Sequence, residues 1–442
     1  MSVAATLPVK EAPAYAGNFP KFSQPKEVAC FSRDAARRVR HDRSALRPYR
    51  VARLPAALDV GFESYVPRKA AGDAAQAAAP LGDVVDALAS KGIPTRDIHI
   101  ITYRNNLNKV FLTPYNPRDE WEVGVEQRDD GVVLLQVRET ASKRAEEANK
   151  DERGQRMAYW GYKFEQLSTL TESQQSALAA GGAADAVAET TGDEYRVPSP
   201  SDAGSYDHLY PPGDLHALRE RYSALAAAAA PAGAAAPAKA PAPPPKAAAA
   251  AAAALAPVNA NEEFCSIVQI GIDSIRLLMA AEIDCVADKA SVGGAPGAAA
   301  AAGYVELKTS RTPASPRELE SFERHKLLKF WLQSFLAGVP NVVVGFRDDA
   351  GTVRELRTYE TRTLHRLVKP PKGYWDTTAV INFGKGVLTW LLAALKEHRG
   401  RSKFVMRYTP ASRAIVLVPD DGAADVDDDD ERAHKRRRVT DD

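Results

Sequence analysis

Two short segments in the second half of the chain put charged side chains where strands usually put core. Leu277 to Val286 reads Leu-Leu-Met-Ala-Ala-Glu-Ile-Asp-Cys-Val, and Tyr304 to Thr309 reads Tyr-Val-Glu-Leu-Lys-Thr. Side chains two apart on a strand point the same way. Glu282 and Asp284 then share a face opposite Ile283 and Cys285, and Glu306 and Lys308 share a face opposite Val305 and Leu307. Paired as neighbours, the two strands would bring three carboxylates and one ammonium together. Burying that many charges is costly unless something compensates. A divalent cation such as Mg²⁺ or Mn²⁺, which takes oxygen ligands, is the natural compensation. The expectation is a metal-binding hairpin with its charges mid-strand. The plain alternative is a solvated surface hairpin; the strongly apolar flanks argue for central strands.

The rest of the chain limits where a core can form. Residues 1–28 are Pro- and Ala-rich and read as a flexible leader without the apolar stretch of a signal peptide. Residues 171–258 hold Gly181-Gly182, Pro198-Ser199-Pro200 and an Ala/Pro tract from Ala224 to Pro257. Such composition buries too little apolar surface to offset its ordering entropy, so it reads as a low-complexity insertion with one helix, Leu215 to Leu225. A smaller patch, Ser291 to Gly303, would be the hairpin tip. Residues 419–442 form an acidic and then basic tail, Asp427 to Asp430 followed by Lys435-Arg436-Arg437-Arg438. One domain is therefore built from 29–170 and 259–418.

Within it, period-two patterns predict strands at Gly61–Val66, Ile98–Tyr103, Lys109–Leu112, Trp121–Val125, Val132–Val137, Cys265–Ile270, Val342–Arg347, Val353–Thr361, Phe404–Tyr408 and Ala414–Val418. Helical spacing predicts helices at Leu81–Ala89, within Lys143–Leu170, and at Arg317–Ala337 and Val380–His398. The mixture predicts an α+β fold with two mixed β-sheets packed with surrounding helices.

Net charge is +1, so no global field draws in a polyanion, and any nucleic-acid contact must be local. The cysteines Cys30, Cys265 and Cys285 lack metal spacing, and their odd number points to a reducing compartment. Scattered histidines offer neither a zinc site nor a Ser/His/Asp arrangement. No segment reads as a membrane span; the Ala247–Ala254 run is too short and too weakly apolar.

The acid-x-Lys of Glu306-Leu307-Lys308 resembles the last half-motif of the PD-(D/E)xK nuclease superfamily. A more specific resemblance emerges from an ordered set: Gly161-Tyr162-Lys163-Phe164-Glu165, Asn261-x-x-Phe264-Cys265-Ser266-Ile267-Val268, Glu282-x-Asp284, Glu306-Leu307-Lys308, Trp331 to Pro340, and Val344-Gly345-Phe346-Arg347. In that order they resemble the DXO-type decapping exonuclease family, and within it the fungal nuclear member that partners the nuclear 5′→3′ exoribonuclease. The resemblance spans roughly Phe31 to Leu395 without the insertion.

It implies a PD-(D/E)xK-like nuclease core that uses two Mg²⁺ or Mn²⁺ ions. Glu165, Glu282, Asp284 and Glu306 would be metal ligands, with the Leu307 carbonyl a further one. Lys308 and Gln333 would contact the scissile phosphate or its water. Arg104 would match the arginine of the family's Trp-Arg-Gly and bind RNA phosphates, although Tyr103 and Asn105 replace its neighbours. Cys265 would line the substrate channel and Arg47 would meet the 5′ end. The activity implied is removal of NAD and other non-standard or incomplete caps, hydrolysis of 5′-triphosphate, and in some members 5′→3′ exoribonuclease action. The alternative is a non-catalytic protein that stabilises a nuclear exoribonuclease. Lys435 to Arg438 fits nuclear import, and a solvated charge run is its plain reading.

Overall fold

A computed structural model describes residues 3–68, 81–170, 256–287, 303–368, 372–398 and 400–420. The expected helix at 215–225, nearly all of the insertion, the 291–303 patch except Gly303, and the Lys435–Arg438 run lie outside the described residues.

The first half contributes strands β1 (Ala5–Pro8), β2 (Lys26–Arg33), β3 (Val39–Arg40), β4 (Ala56–Ala57), β5 (Ile100–Tyr103), β6 (Trp121–Gln127) and β7 (Val133–Arg138). Its helices are α1 (Gly82–Ser90), α2 (Arg104–Phe111), α3 (Ala141–Ala148) and α4 (Glu152–Leu167). The second half adds β8 (Glu263–Ile272), β9 (Ile275–Glu282), β10 (Cys285–Val286), β11 (Tyr304–Arg311), β12 (Asn341–Arg347), β13 (Thr352–Glu360), β14 (Lys403–Thr409) and β15 (Ala414–Pro419). Its helices are α5 (Pro316–Ser321), α6 (Leu327–Ala337), α7 (Thr361–Leu364) and α8 (Thr377–Glu397), with a π turn at Phe322–Lys326 joining α5 to α6.

Ten strands form one sheet in the order β1-β15-β14-β6-β7-β5-β9-β8-β2-β3, and five form a second in the order β10-β11-β12-β13-β4. Both are mixed: β5 is parallel to β7 and β9, and β11 is parallel to β12. The largest apolar cluster joins one face of each sheet through α2, α6 and α8, with Phe111, Leu332 and Leu388 at its centre. A second cluster sets α1 against the outer face of the ten-stranded sheet. A third sets Tyr159, Trp160 and Phe164 of α4 against the outer face of the five-stranded sheet. There Phe164 sits so close to Gly345 that an added Cβ would stand 2.7 Å from its ring. The predicted α+β architecture of two mixed sheets and surrounding helices is present.

Four local expectations are corrected. The leader is not loose: β1 pairs antiparallel with β15, Ala5 opposite Leu417, and closes one edge of the large sheet. Lys109–Leu112 is the end of helix α2, which buries Leu107, Val110 and Phe111 on one side. Gly61–Val66 holds a 3₁₀ turn at Phe62–Ser64 instead of a strand. Helix α8 is long and apolar enough to cross a membrane, against the expectation that no segment is. Its Val380, Ile381, Phe383, Val387, Leu388 and Leu391 are buried in the central cluster, which explains the composition of a core helix.

Candidate active site

The acidic pair lies where the chain changes sheets. β9 runs through the large sheet and ends at Glu282, with Cys265 of β8 as its paired neighbour. The Ile283 N–H then donates to the Phe264 carbonyl at 3.0 Å, Asp284 follows, and Cys285 enters the small sheet opposite Val305. The expected mid-strand hairpin is therefore corrected. Only the two residues of β10 pair with β11, and Glu282 and Asp284 occupy a crossover. The Leu307 N–H fastens that crossover by donating to Asp284 Oδ2 at 2.6 Å.

Three other elements converge there. Helical spacing along α4 aims Ala158, Gly161, Tyr162 and Glu165 into the cleft, α6 supplies Gln333, and the β5–α2 junction supplies Arg104. These residues line the cleft together with Glu282, Asp284 and Lys308. Glu306 lies beneath it, almost fully buried. It accepts from Lys308 Nζ, from Gln333 Nε2 at 2.6 Å and from Arg104 Nη1 at 3.2 Å.

The carboxylates differ in charge state for physical reasons. Burial opposes ionisation of Glu306, but Lys308 and Arg104 outweigh it and hold its carboxyl below the usual range. Asp284 is pushed up to about 7 by burial and by Glu306, against Lys308 and the Leu307 N–H. Glu165 is raised well above its usual value by burial and by Asp284 and Glu282. Glu282 is raised as well, by burial and Glu306, with Arg104 and Lys308 opposing. Its side chain keeps 37% of its surface, so solvent screens it more than the others. Burial disfavours the Lys308 ammonium, yet Glu306 and Asp284 more than restore it.

Four carboxylates thus face Lys308 and Arg104, with Arg68, shared with Glu263, reaching Glu282 from outside the cleft, and a formal negative surplus remains. Hard oxygen donors with that surplus fit one or two divalent cations. Among the described residues no three of them close on a single point. Lys308 Nζ stands in the way, bonded to Glu306 and 3.7 Å from Asp284 Oδ2.

Residues 23–195 and 238–433 match the family described as RAI1-like PD-(D/E)XK nuclease. The chain belongs to that family. The decapping nuclease RAI1 of Aspergillus fumigatus is 29% identical over 401 residues, covering 89% of this chain and 88% of that protein. The decapping and exoribonuclease protein of Homo sapiens is 27% identical over 432 residues, covering 95% and 87%. The solved structure of S. pombe Rai1 in complex with 3′-FADP matches with TM-score 0.63 at 26% identity, over 94% of this chain and 99% of that one.

For a member of this nuclease family, two expected contacts stand apart from the cleft. Cys265 is buried in the second cluster beside its β2 partner Phe31; it shares a sheet face with its β9 partner Glu282 but does not line the cleft. Arg47 is ion-paired with Glu262, and neither lines the cleft. Arg104 lines it but spends its guanidinium on Glu306, while Asn105 beside it is exposed on the first turn of α2. The Leu307 backbone is placed at the site through its N–H.

Three basic residues absent from the sequence reading flank Glu282. Arg33 pairs with Asp83 and with nearly buried Glu263. Arg37 lies 3.8 Å from Glu263, and Arg68 pairs with Glu263 and reaches Glu282 Oε2 at 3.4 Å. Their only signal is the arginine-rich character of residues 31–68.

Gly161 offers a clean test of the cleft. A Cβ added there meets nothing within 4 Å, so the helix tolerates a side chain and the cleft receives it. Gly161→Leu is expected to leave thermal stability unchanged, or up to ~1 kcal/mol higher because glycine is a poor helix former. RNA hydrolysis should fall at least about ten-fold as the side chain displaces substrate. Thermal melts and initial rates on the same preparation check both.

Proposed function

We propose that this chain is a metal-dependent hydrolase of RNA 5′ ends. It would remove NAD and other non-standard or incomplete caps and hydrolyse 5′-triphosphate, and it would also degrade RNA 5′→3′. The observation that carries the reading is Glu306, buried and held ionised by Lys308, Arg104 and Gln333 within a cleft of three more carboxylates. Membership of a nuclease family supports the hydrolytic class. The names of the A. fumigatus and human relatives, and the 3′-FADP held by S. pombe Rai1, support the 5′-end substrate.

Glu165, Glu282, Asp284, Glu306 and the Leu307 carbonyl would hold Mg²⁺ or Mn²⁺. When bound, such ions lower the pKa of a coordinated water and neutralise charge on phosphoryl oxygens. The chain's own groups do the rest. Lys308 presents an ammonium, ionised well beyond neutral pH, to the developing oxyanion. Gln333 Nε2 fixes the Glu306 oxygen that faces the cleft and sets the carboxylate's orientation. Arg104 braces the other oxygen from the β5–α2 junction.

The reading also carries nuclear location, supported by the Lys435–Arg438 run, and association with a nuclear 5′→3′ exoribonuclease, supported by the sequence resemblance. The test is incubation of pure protein with triphosphate-, NAD- and guanosine-capped RNA of one sequence, with Mg²⁺ or Mn²⁺ and product identification. Release of pyrophosphate or of a cap is expected. No turnover of any end, together with stoichiometric capture of an exoribonuclease, would instead make the chain a binding protein.

A further inference from the structure

Eight of the eleven residues of α6 are buried. Its accessible stripe carries Lys329 and, one turn on, the cleft residue Gln333. That stripe begins at exposed Lys326, the last residue of the π turn. Positions 326, 329 and 333 have the three-and-four spacing that stacks side chains on one helix face. π turns inside helices occur frequently at functional sites. Here the turn brings Lys326 Nζ to 3.1 Å from Ser310 Oγ on β11.

Ser310 shares its strand face with Glu306 and Lys308, because the three alternate along β11. Lys326 is thus anchored one strand repeat, about 7 Å, beyond Lys308. β11 pairs with β10 only at Tyr304 and Val305, so among the described residues its outer edge carries no strand from Glu306 onward. Among the described residues neither Lys326 nor Lys329 has a carboxylate partner. Burial, and after it the charges of Arg347 and Lys329, lower the pKa of Lys326. Arg347 belongs to the other face of the small sheet, opposite Arg311 and 4.4 Å over Trp160. Lys326 and Lys329 thus add two cations without carboxylate partners next to the β11 face that carries Lys308, in a chain of net charge +1.

We propose that Lys326 and Lys329 bind the RNA phosphodiester backbone immediately 3′ of the reacting phosphate. The strand runs from Gln333 towards Lys326 along the open edge of β11. This rests on the reading that the substrate is RNA. The two lysines are positioning residues: they hold the chain and leave the reacting atoms to Glu306 and Lys308. The repeat along β11 and the spacing on α6 give successive phosphates successive cations, and such contacts carry no sequence information.

The test is the double variant Lys326→Ala/Lys329→Ala, with Lys326→Arg/Lys329→Arg as the charge-conserving control. On a triphosphorylated decanucleotide the alanine variant is expected to raise KM about ten-fold with kcat within about two-fold. The slope of log affinity against log salt should become shallower by about 1.4, roughly 0.7 for each single-strand phosphate that a lysine no longer neutralises. On a triphosphorylated dinucleotide, which keeps only the first phosphodiester, KM should rise only about three-fold, and the arginine control should keep the wild-type salt slope. An unchanged KM and salt slope on the decanucleotide, or an equal loss on the dinucleotide, overturns the proposal. Should the wild type turn over neither substrate, the RNA-hydrolase reading fails separately. Decanucleotide binding by fluorescence anisotropy then decides the stripe alone: about ten-fold weaker in the alanine variant supports it, and unchanged binding overturns it.

Discussion

Asp284→Asn is expected to cut divalent-dependent RNA hydrolysis by about 10³-fold or more while leaving the metal-free protein at least as stable as the wild type. The first half follows from the site's charge. Asn keeps a carbonyl oxygen for the Leu307 N–H, so the crossover stays fastened, but it removes one of the charges that a cation needs. The second half follows from linkage. Burial and Glu306 hold Asp284 near 7 in the folded protein, far above its usual 3.8. Between those values the folded state keeps a proton that the unfolded chain has released. Stability therefore falls as pH rises through that window. Removing the titrating group flattens the fall. Melts of the metal-free wild type from pH 4 to 8 should show a melting temperature declining towards neutral pH and partly restored by Mn²⁺, since an ion that binds only the folded state stabilises it. The variant should show a shallower decline and little restoration. Full activity, or a wild-type pH slope in the variant, would remove Asp284 from the metal site. A stability gain coupled to an activity loss is what a site built from mutually repelling groups should give.

Much of this site is legible in the sequence because its chemistry is local. Glu282-x-Asp284 and Glu306-x-Lys308 announce themselves as charges inside apolar runs, and Gly161 to Glu165 sits at helical spacing. The crossover is not legible. Leu277 to Val286 is continuous in hydrophobicity, and the break depends on where the Ile283 N–H and Asp284 find partners, namely Phe264 and Leu307. Lys109–Leu112 reads as a strand because the three apolar residues Val110, Phe111 and Leu112 are too short a run to tell strand from helix. Its helical character comes from packing α2 against α6 and α8. β1 escapes notice because its partner, β15, lies some four hundred residues away, and the alternation of Ala5 to Pro8 is only four residues long. The arginines beside Glu282 share this cause. Arg33, Arg37 and Arg68 lie in an arginine-rich stretch with no local pattern, and only the fold gathers them on Glu263.

Glu27 is the residue whose neighbours in sequence conceal it most, and Glu27→Ala is expected to have the largest effect on stability. Lys26-Glu27 falls at the end of the stretch that reads as a flexible leader. The β2–β8 register slips between Glu27 and Ala29, and the bulge turns Glu27 inward until it is 1% exposed. It accepts from Arg43, from Tyr304 Oη at 2.5 Å and from Ser266 Oγ at 2.6 Å. Alanine would strand the Arg43 guanidinium, whose side chain is 8% exposed, along with two hydroxyls. Breaking a buried pair from one side costs about 3–5 kcal/mol, or roughly 10 °C in melting temperature for a chain of this size. Arg43→Met added to Glu27→Ala should recover much of that loss, because the uncompensated charge is then gone. A double variant no more stable than the single would instead place the cost in the cavity. The network also has a catalytic consequence. Ser266 lies on β8 beside the partner of Glu282, and Tyr304 opens β11 two residues before Glu306. Glu27 thus ties the two sheets together at the foot of the crossover that carries the acids. In the rescued double variant the fold returns without that polar tie. RNA hydrolysis measured well below its melting temperature should then remain about ten-fold or more below wild type, because small displacements of catalytic groups are costly. Wild-type rates in that variant would show that apolar packing alone sets the spacing of Glu282 and Glu306.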